Sequence, residues 1–415
     1  MNSGPKPTGD ERDRFIPLRH GDLIRRLISE LKLNDVDATA FERLSHHLIS
    51  VFHVEHLSAL IQLEELYGPL DPDAETISLS GDGAPEIVNR SEILLSQLSR
   101  LLFAAHYDQL TQDDLEQAIE VGGSWNVRLD VDFSVFDQLL VFARGYKKLK
   151  QHRRRWQGFF RQETIEFPEF HRLVLAFRLK PSKRFEPSLR TDVVYLKMFK
   201  NIPESELEVL LPGSQVRFSI LDRGKILLPT ISGAALAIYK IITLGLLVTL
   251  ATVAAFWNWV ILIAVTIGYL IRSVLSYFRT RDKYQFGLTR NLFVKNLDNN
   301  VGVIYRIFNE AEEQEMCETL LAYAILWRGA PGESMEELVI VERAEAFLRQ
   351  VLNQEILFDL RDAMSKLTRL GLANVNAFGR WTAVDIDSAP SALQQILERL
   401  LERDDLIPRQ QSRPS

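Results

Sequence analysis

Apolar positions recur at helical spacing over Asp22–Leu31 and again over Ala40–Tyr67, where Phe41, Leu44, Leu48, Val51 and Phe52 share one face. Gly68, Pro69 and Pro72 end the longer helix, because glycine and two prolines oppose its continuation. Residues 78–85 read as a loop, a further helix begins near Glu92, and a short one opens at Thr111 with an acidic first turn. The period then changes to two. Val127, Leu129, Val131 and Phe133 alternate with polar residues, and Leu139–Ala143, Glu163–Phe167, Leu173–Leu179, Val193–Phe199 and Gln215–Ile220 also have strand character, with a short helix over 204–210. The pattern therefore predicts a cytosolic α+β domain over 15–225, helical over 15–120, with a small antiparallel sheet over 125–222.

Residues 226–271 break both patterns, with Lys240 their one charge. A spanning helix needs about 20 apolar residues, so the stretch predicts a membrane anchor. Trp257, Asn258 and Trp259 have the composition of an interfacial turn. Basic flanks on both sides (Arg217, Arg223 and Lys225; Arg272, Arg279, Arg281 and Lys283) put both ends on the cytoplasmic face. A two-helix transmembrane hairpin over 226–278 is the expected arrangement, preferred to one long tilted span. Lys240 then sits within the first span, either lining an oligomeric pathway or snorkelling to the interface.

Beyond it, 279–330 predicts juxtamembrane helices, one over Thr289–Glu310, interrupted or begun at Asn296–Asn300, and one over Glu312–Trp327. Residues 331–405 read as helix, helix, a two-stranded hairpin turning at Ala377–Arg380, and a last helix from Pro390, the order of a winged-helix-like domain. Residues 1–14 and 406–415 are polar and predict disordered tails. The expected class is thus α+β, helix-rich and membrane-anchored.

A net charge of −6 hides an uneven layout: acidic over 1–143, basic over 144–200 and acidic again over 301–415. The single cysteine, Cys317, excludes an intrachain disulfide. Lys147, Lys148, Arg153, Arg154, Arg155 and Trp156 belong to the densest basic run. Near an anionic leaflet each such charge is worth about 1 kcal/mol, so membrane-surface contact is preferred over a solvated loop or a nucleic-acid contact. His46, His53 and His56 fall on one helical flank and are candidate zinc ligands, although their spacing matches no metalloprotease helix. The second helix of the winged-helix-like segment offsets its bases with Asp359 and Asp362, so a protein or homo-oligomer contact is expected and nucleic acid is not. No phosphate loop, dinucleotide fingerprint, nucleophile elbow or kinase set occurs, and no cofactor is expected.

Several stretches together resemble the transmembrane-protein-143-like family: Arg14–Pro17, Leu66–Asp73, Val141–Gly145, Phe199–Pro203, Leu210–Gly213, Leu221–Arg223, Thr280–Tyr284, Leu288–Arg290 and Lys295–Asn300 with Gly302. The resemblance implies a membrane protein with a paired hydrophobic segment and brings no established reaction. With an acidic N-terminal stretch that lacks an apolar leader, it points to a bacterial inner membrane rather than a mitochondrial one, with both termini cytoplasmic. Asn296, Asp298, Asn299 and Asn300 are its most distinctive polar positions, either binding a cation or phosphate or capping helices. The function expected is a membrane-anchored adaptor or scaffold; the alternatives are an oligomeric transporter or channel component and a metal-dependent hydrolase.

Overall fold

The computed structural model describes residues 13–75, 84–123, 128–154, 162–181, 189–212, 215–217, 293–329 and 334–402, with single positions 264, 268, 271 and 272. In chain order the elements are α1 (His20–Glu30), α2 (Asp35–Tyr67), α3 (Ala84–Ala104), β1 (Asp108–Leu110), α4 (Gln112–Gly123), β2 (Arg128–Asp130), β3 (Phe136–Arg154) and β4 (Gln162–Leu179). They continue with β5 (Tyr195–Pro203), α5 (Leu207–Leu210), β6 (Gln215–Arg217), β7 (Asn296–Asn299), α6 (Val301–Gly329) and α7 (Glu337–Leu352). The last are α8 (Leu360–Arg369), β8 (Ala373–Val375), β9 (Trp381–Ala383) and α9 (Ala389–Leu401).

Local chemistry sets several boundaries. The Asn34 side chain accepts the Asp37 amide and starts α2. Thr111 and Asp114 exchange side-chain and backbone hydrogen bonds in a reciprocal cap that starts α4. Helix α6 runs unbroken where two helices were expected, since neither glycine nor proline occurs between Val303 and Arg328.

The chain divides into two compact units. The larger draws on residues up to Asp114, on Ser134–Ile202 and on the chain from Leu297. Its sheet has the order β1-β3-β4-β5-β7. One core packs Phe142, Val174, Ala176, Leu196 and Met198 of that sheet against the C-terminal half of α2, α3 and the first half of α6. A second core joins α1, the N-terminal half of α2, the second half of α6, and α7, α8 and α9. Helices α2 and α6 therefore run antiparallel and thread both cores. The smaller unit draws on Leu115–Phe133 and Pro203–Asn296; within it β2 pairs antiparallel with β6 and Lys295 meets Glu206 at 2.6 Å. This division cuts across the blocks drawn from the sequence, because the C-terminal helices share a core with the N-terminal ones.

The fold class needs a correction. The chain is α+β, but among the described residues no helix is long and apolar enough to cross a membrane, so the transmembrane hairpin at 226–278 is not supported. Lys240, Trp257, Asn258 and Trp259 lie outside the described residues. Strand β3 runs beyond the expected Leu139–Ala143 through the basic stretch to Arg154, and residues 296–299, where the sequence predicts that a helix breaks or begins, form a strand at the sheet edge.

Gly145 adopts φ +70°, and a Cβ there would lie 2.8 Å from the His171 Cβ of the neighbouring strand. Both the left-handed backbone and the contact oppose a side chain. Gly145→Ala is expected to destabilise the larger unit by about 1–3 kcal/mol, read as a lower midpoint in urea unfolding.

Candidate functional site

Helix α6 is enclosed on most sides, and within three turns it carries Glu310, Glu312, Glu313, Glu315 and Glu318. Buried or half-buried carboxylates need partners. Each finds one on a different element. Glu310 meets Arg144 of β3 at 3.1 Å, Glu312 meets His53 of α2 at 3.0 Å, and Glu313 meets His20 of α1 at 2.9 Å. Glu315 takes Lys366 of α8 at 3.3 Å with His56 of α2 at 3.6 Å, and Glu318 takes His106, just after α3. Gln314, fully buried among them, accepts the Ile16 amide at 2.7 Å and donates to the Ile16 carbonyl at 2.9 Å.

His106 is held in the left-handed region at φ +58° as the chain leaves α3, where the Tyr107 amide closes back on the Leu102 carbonyl. A non-glycine residue there is strained, and the turn aims the imidazole at Glu318. Burial opposes the imidazolium, but the hydrogen bond and charge of Glu318 outweigh it and raise the His106 pKa above its ordinary value. Burial also raises the Glu318 carboxyl, with His106 and Lys366 offsetting part of the effect. The second Glu318 oxygen, Oε2, is buried without a hydrogen bond.

Arg144 forms a second centre. Its guanidinium stacks 3.6 Å from the Phe15 ring centroid and 4.5 Å from that of Tyr107, and it donates to the Ala105 carbonyl at 3.1 Å. The Tyr107 hydroxyl donates to Glu310 at 2.7 Å, and burial pushes that phenol far above its usual range. Burial, with Glu313 and Glu318 nearby, raises the Cys317 thiol too, which disfavours the nucleophilic thiolate. The carboxylates of α6 are thus committed to Arg144, Lys366 and the histidines of neighbouring elements, which lock those elements together.

The sequence candidates fall at separate places. His46 is exposed, His53 pairs with Glu312, and His56 is buried, its Nδ1 donating to the Phe52 carbonyl at 3.0 Å. They do not converge, and among the described residues no group of three or more His, Cys, Asp or Glu could hold a metal. Lys147, Lys148, Arg153 and Arg154 lie on β3, with Lys147 exposed; Arg155 and Trp156 lie outside the described residues. The polar motif is knitted into the sheet. The Asn300 amide donates to the Leu196 carbonyl at 2.7 Å, its Oδ1 accepts the Leu196 amide at 3.2 Å, and its Nδ2 donates to Asp73. Asp298 pairs with Arg306, Asn299 accepts from Lys197 at 3.3 Å, and Asn296 Oδ1 is buried without a partner. Sequence reasoning missed Arg144, His106, Glu310 and Glu318. The available signal was a carboxylate, Glu318, set among the apolar residues Met316, Cys317, Leu320 and Leu321.

Residues 170–302 match a family model described as Protein of unknown function (DUF3754). The match takes in the second half of β4, the strands β5, β6 and β7, and the start of α6. No solved structure matches the chain.

Two outcomes follow from the ion pairs. His106 and Glu318 both bind a proton more readily folded than unfolded, so their stabilisation is complete at acid pH. The histidine part is lost as pH rises from the ordinary imidazole value of 6.5 through the raised folded value. Unfolding free energy should therefore fall as pH rises above neutrality, and His106→Asn should flatten that slope; an unchanged slope in the variant would contradict the assignment. Glu310→Gln leaves Arg144 buried without its anion and is expected to cost about 3–5 kcal/mol by chemical denaturation.

Proposed function

We propose that the protein is a non-catalytic adaptor or scaffold that works at an anionic membrane surface and holds protein partners there. The observation that carries this reading is the β3–β4 ribbon. Strand β1 pairs with β3 only over Val141–Ala143, whereas β3 and β4 stay paired to Arg154↔Gln162. In register, Lys147, Lys150 and Arg153 are partnered by Glu169, Glu166 and Glu163, whereas Lys148 and Arg154 are partnered by Pro168 and Gln162. The sequence of the paired stretch therefore carries more cations than carboxylates, a composition that suits a sheet of phosphate headgroups.

The membrane setting also draws support from the resemblance to transmembrane-protein-143-like proteins. A protein partner is favoured over nucleic acid by α8, whose Lys366 is engaged with Glu315 and Asp362 and whose Arg369 is engaged with Glu55. The α6 carboxylates, used to join elements, support a scaffold rather than an enzyme.

Binding of the full-length protein to phosphatidylcholine vesicles with and without phosphatidylserine tests the proposal. With each interfacial cation worth about 1 kcal/mol, Lys148→Gln with Arg154→Gln, the two cations without a carboxylate partner in register, is expected to weaken the anionic-lipid-dependent binding tenfold or more. Lys147→Gln with Arg153→Gln should change it little. Equal loss in both variants, or none in either, would overturn the proposal.

A further inference from the structure

We infer that Arg172 and Arg306, backed by Arg144, form a binding site for a tetrahedral oxyanion of the phosphate or phosphomonoester class. The argument starts from register. Arg144 and Arg172 are direct cross-strand partners on β3 and β4, which places two guanidinium groups side by side, an arrangement that costs free energy unless anions compensate it. Arg172 shares its strand face with Val174 and Ala176, which pack in the core formed with α6. Helix α6 presents Arg306 and Glu310 one turn apart.

Two carboxylates serve these three guanidinium groups, and both are taken. Glu310 is 3.1 Å from Arg144 and also accepts the Tyr107 hydroxyl. Asp298 is paired with Arg306. Asp13 lies beside Gly145 and His171, one residue along the strand and so toward its other face. Among the described residues Arg172 keeps only the His171 carbonyl at 3.1 Å and a long contact to the His171 ring, and its Nε is buried with no hydrogen-bond partner. A buried N–H left unpaired in a charged group is costly and rare in a finished structure.

The electrostatics agree. Burial, with Arg144 and Arg306 as neighbouring cations, depresses the Arg172 pKa below its usual range, although Glu310 and Tyr107 act in the opposite sense. Burial and the cations Arg172, Lys147 and Arg144 also depress the His171 imidazole, so it supplies no competing charge at neutral pH. A phosphate oxygen accepting from Arg172 Nε would satisfy the orphan donor and supply the missing charge through a charge-assisted hydrogen bond. The site is independent of the ribbon's unmatched cations, which begin beyond it at Lys148. Its oxyanion could be a free phosphate compound or a lipid headgroup.

Calorimetric titration of the full-length protein with inorganic phosphate, in chloride buffer of matched ionic strength, tests the inference. Saturable binding is expected, with a rise in melting temperature that chloride does not reproduce. Arg172→Gln should weaken phosphate binding tenfold or more and remove the thermal response, yet melt in chloride at or above the parent temperature, because it deletes an uncompensated buried cation. Arg172→Lys, which keeps the charge but not the fork, should bind with intermediate affinity. A phosphate response no larger than that of chloride, or one that survives Arg172→Gln, would overturn the site. Vesicles containing phosphatidic acid separate the two sources: capture lost in Arg172→Gln and competed by inorganic phosphate assigns a lipid headgroup. Arg172-dependent binding of inorganic phosphate without such capture assigns a free compound.

Discussion

Helix α6 is buried against most of the larger unit and carries carboxylates on nearly every side, so the elements around it must deliver cations or protons. A carboxylate in such surroundings is tolerated only if paired or neutral. The chain meets that demand element by element, with His20 from α1, His53 and His56 from α2, His106 after α3, Arg144 from β3 and Lys366 from α8. The apolar cores supply most of the attraction, but they leave the rotation and register of α6 loosely specified. These polar pairs fix which face of α6 meets which neighbour. A slip of one residue along the helix would turn every carboxylate by about 100° away from its partner.

The same constraint explains why residues distant in sequence converge. Tyr67 donates to the Val194 carbonyl at 3.1 Å, the Val194 amide donates to the Leu70 carbonyl at 2.9 Å, and Asn300 bridges Leu196 to Asp73. The end of α2, the entry to β5 and the exit from β7 are thereby tied at one point, just before α6 begins. Sheet edge and helix start are set together, so the tie sets the approach of α6 to the sheet and, through Arg306 and Glu310, the position of the arginine cluster.

Periodicity revealed α2 through the apolar stripe from Phe41 to Phe52, and the cap at Thr111 gave α4 its start. It also indicated the final helix–helix–hairpin–helix order. It missed the length of β3, because a run of lysines and arginines reads as loop; only the paired register with Glu163, Glu166 and Glu169 shows how such a strand is accommodated. Asn296–Asn300 was read for helix capping or ligand binding because asparagine and aspartate favour both, whereas the backbone of Leu196 had the stronger claim on Asn300. The ion-pair belt was invisible for a different reason. Glu313 and His20 are separated by most of the chain, and nothing in local composition announces a partner so far away. A histidine on an amphipathic flank looks the same whether it faces solvent, as His46 does, or a buried carboxylate.

The larger unit is assembled from three separated stretches of chain, and its second core joins Leu23 and Phe41 near the start to Leu393 near the end. Contacts of such sequence separation close late, because the loop entropy of the intervening chain comes before the reward of packing. During synthesis α1 and α2 leave the ribosome long before α6 or α9 exists to cover them. Their apolar faces, centred on Leu27, Leu44 and Leu48, must then wait uncovered while the rest is translated. The nascent chain is thus exposed to mispairing for most of its synthesis, and final assembly is a step that only the C-terminal helices can trigger.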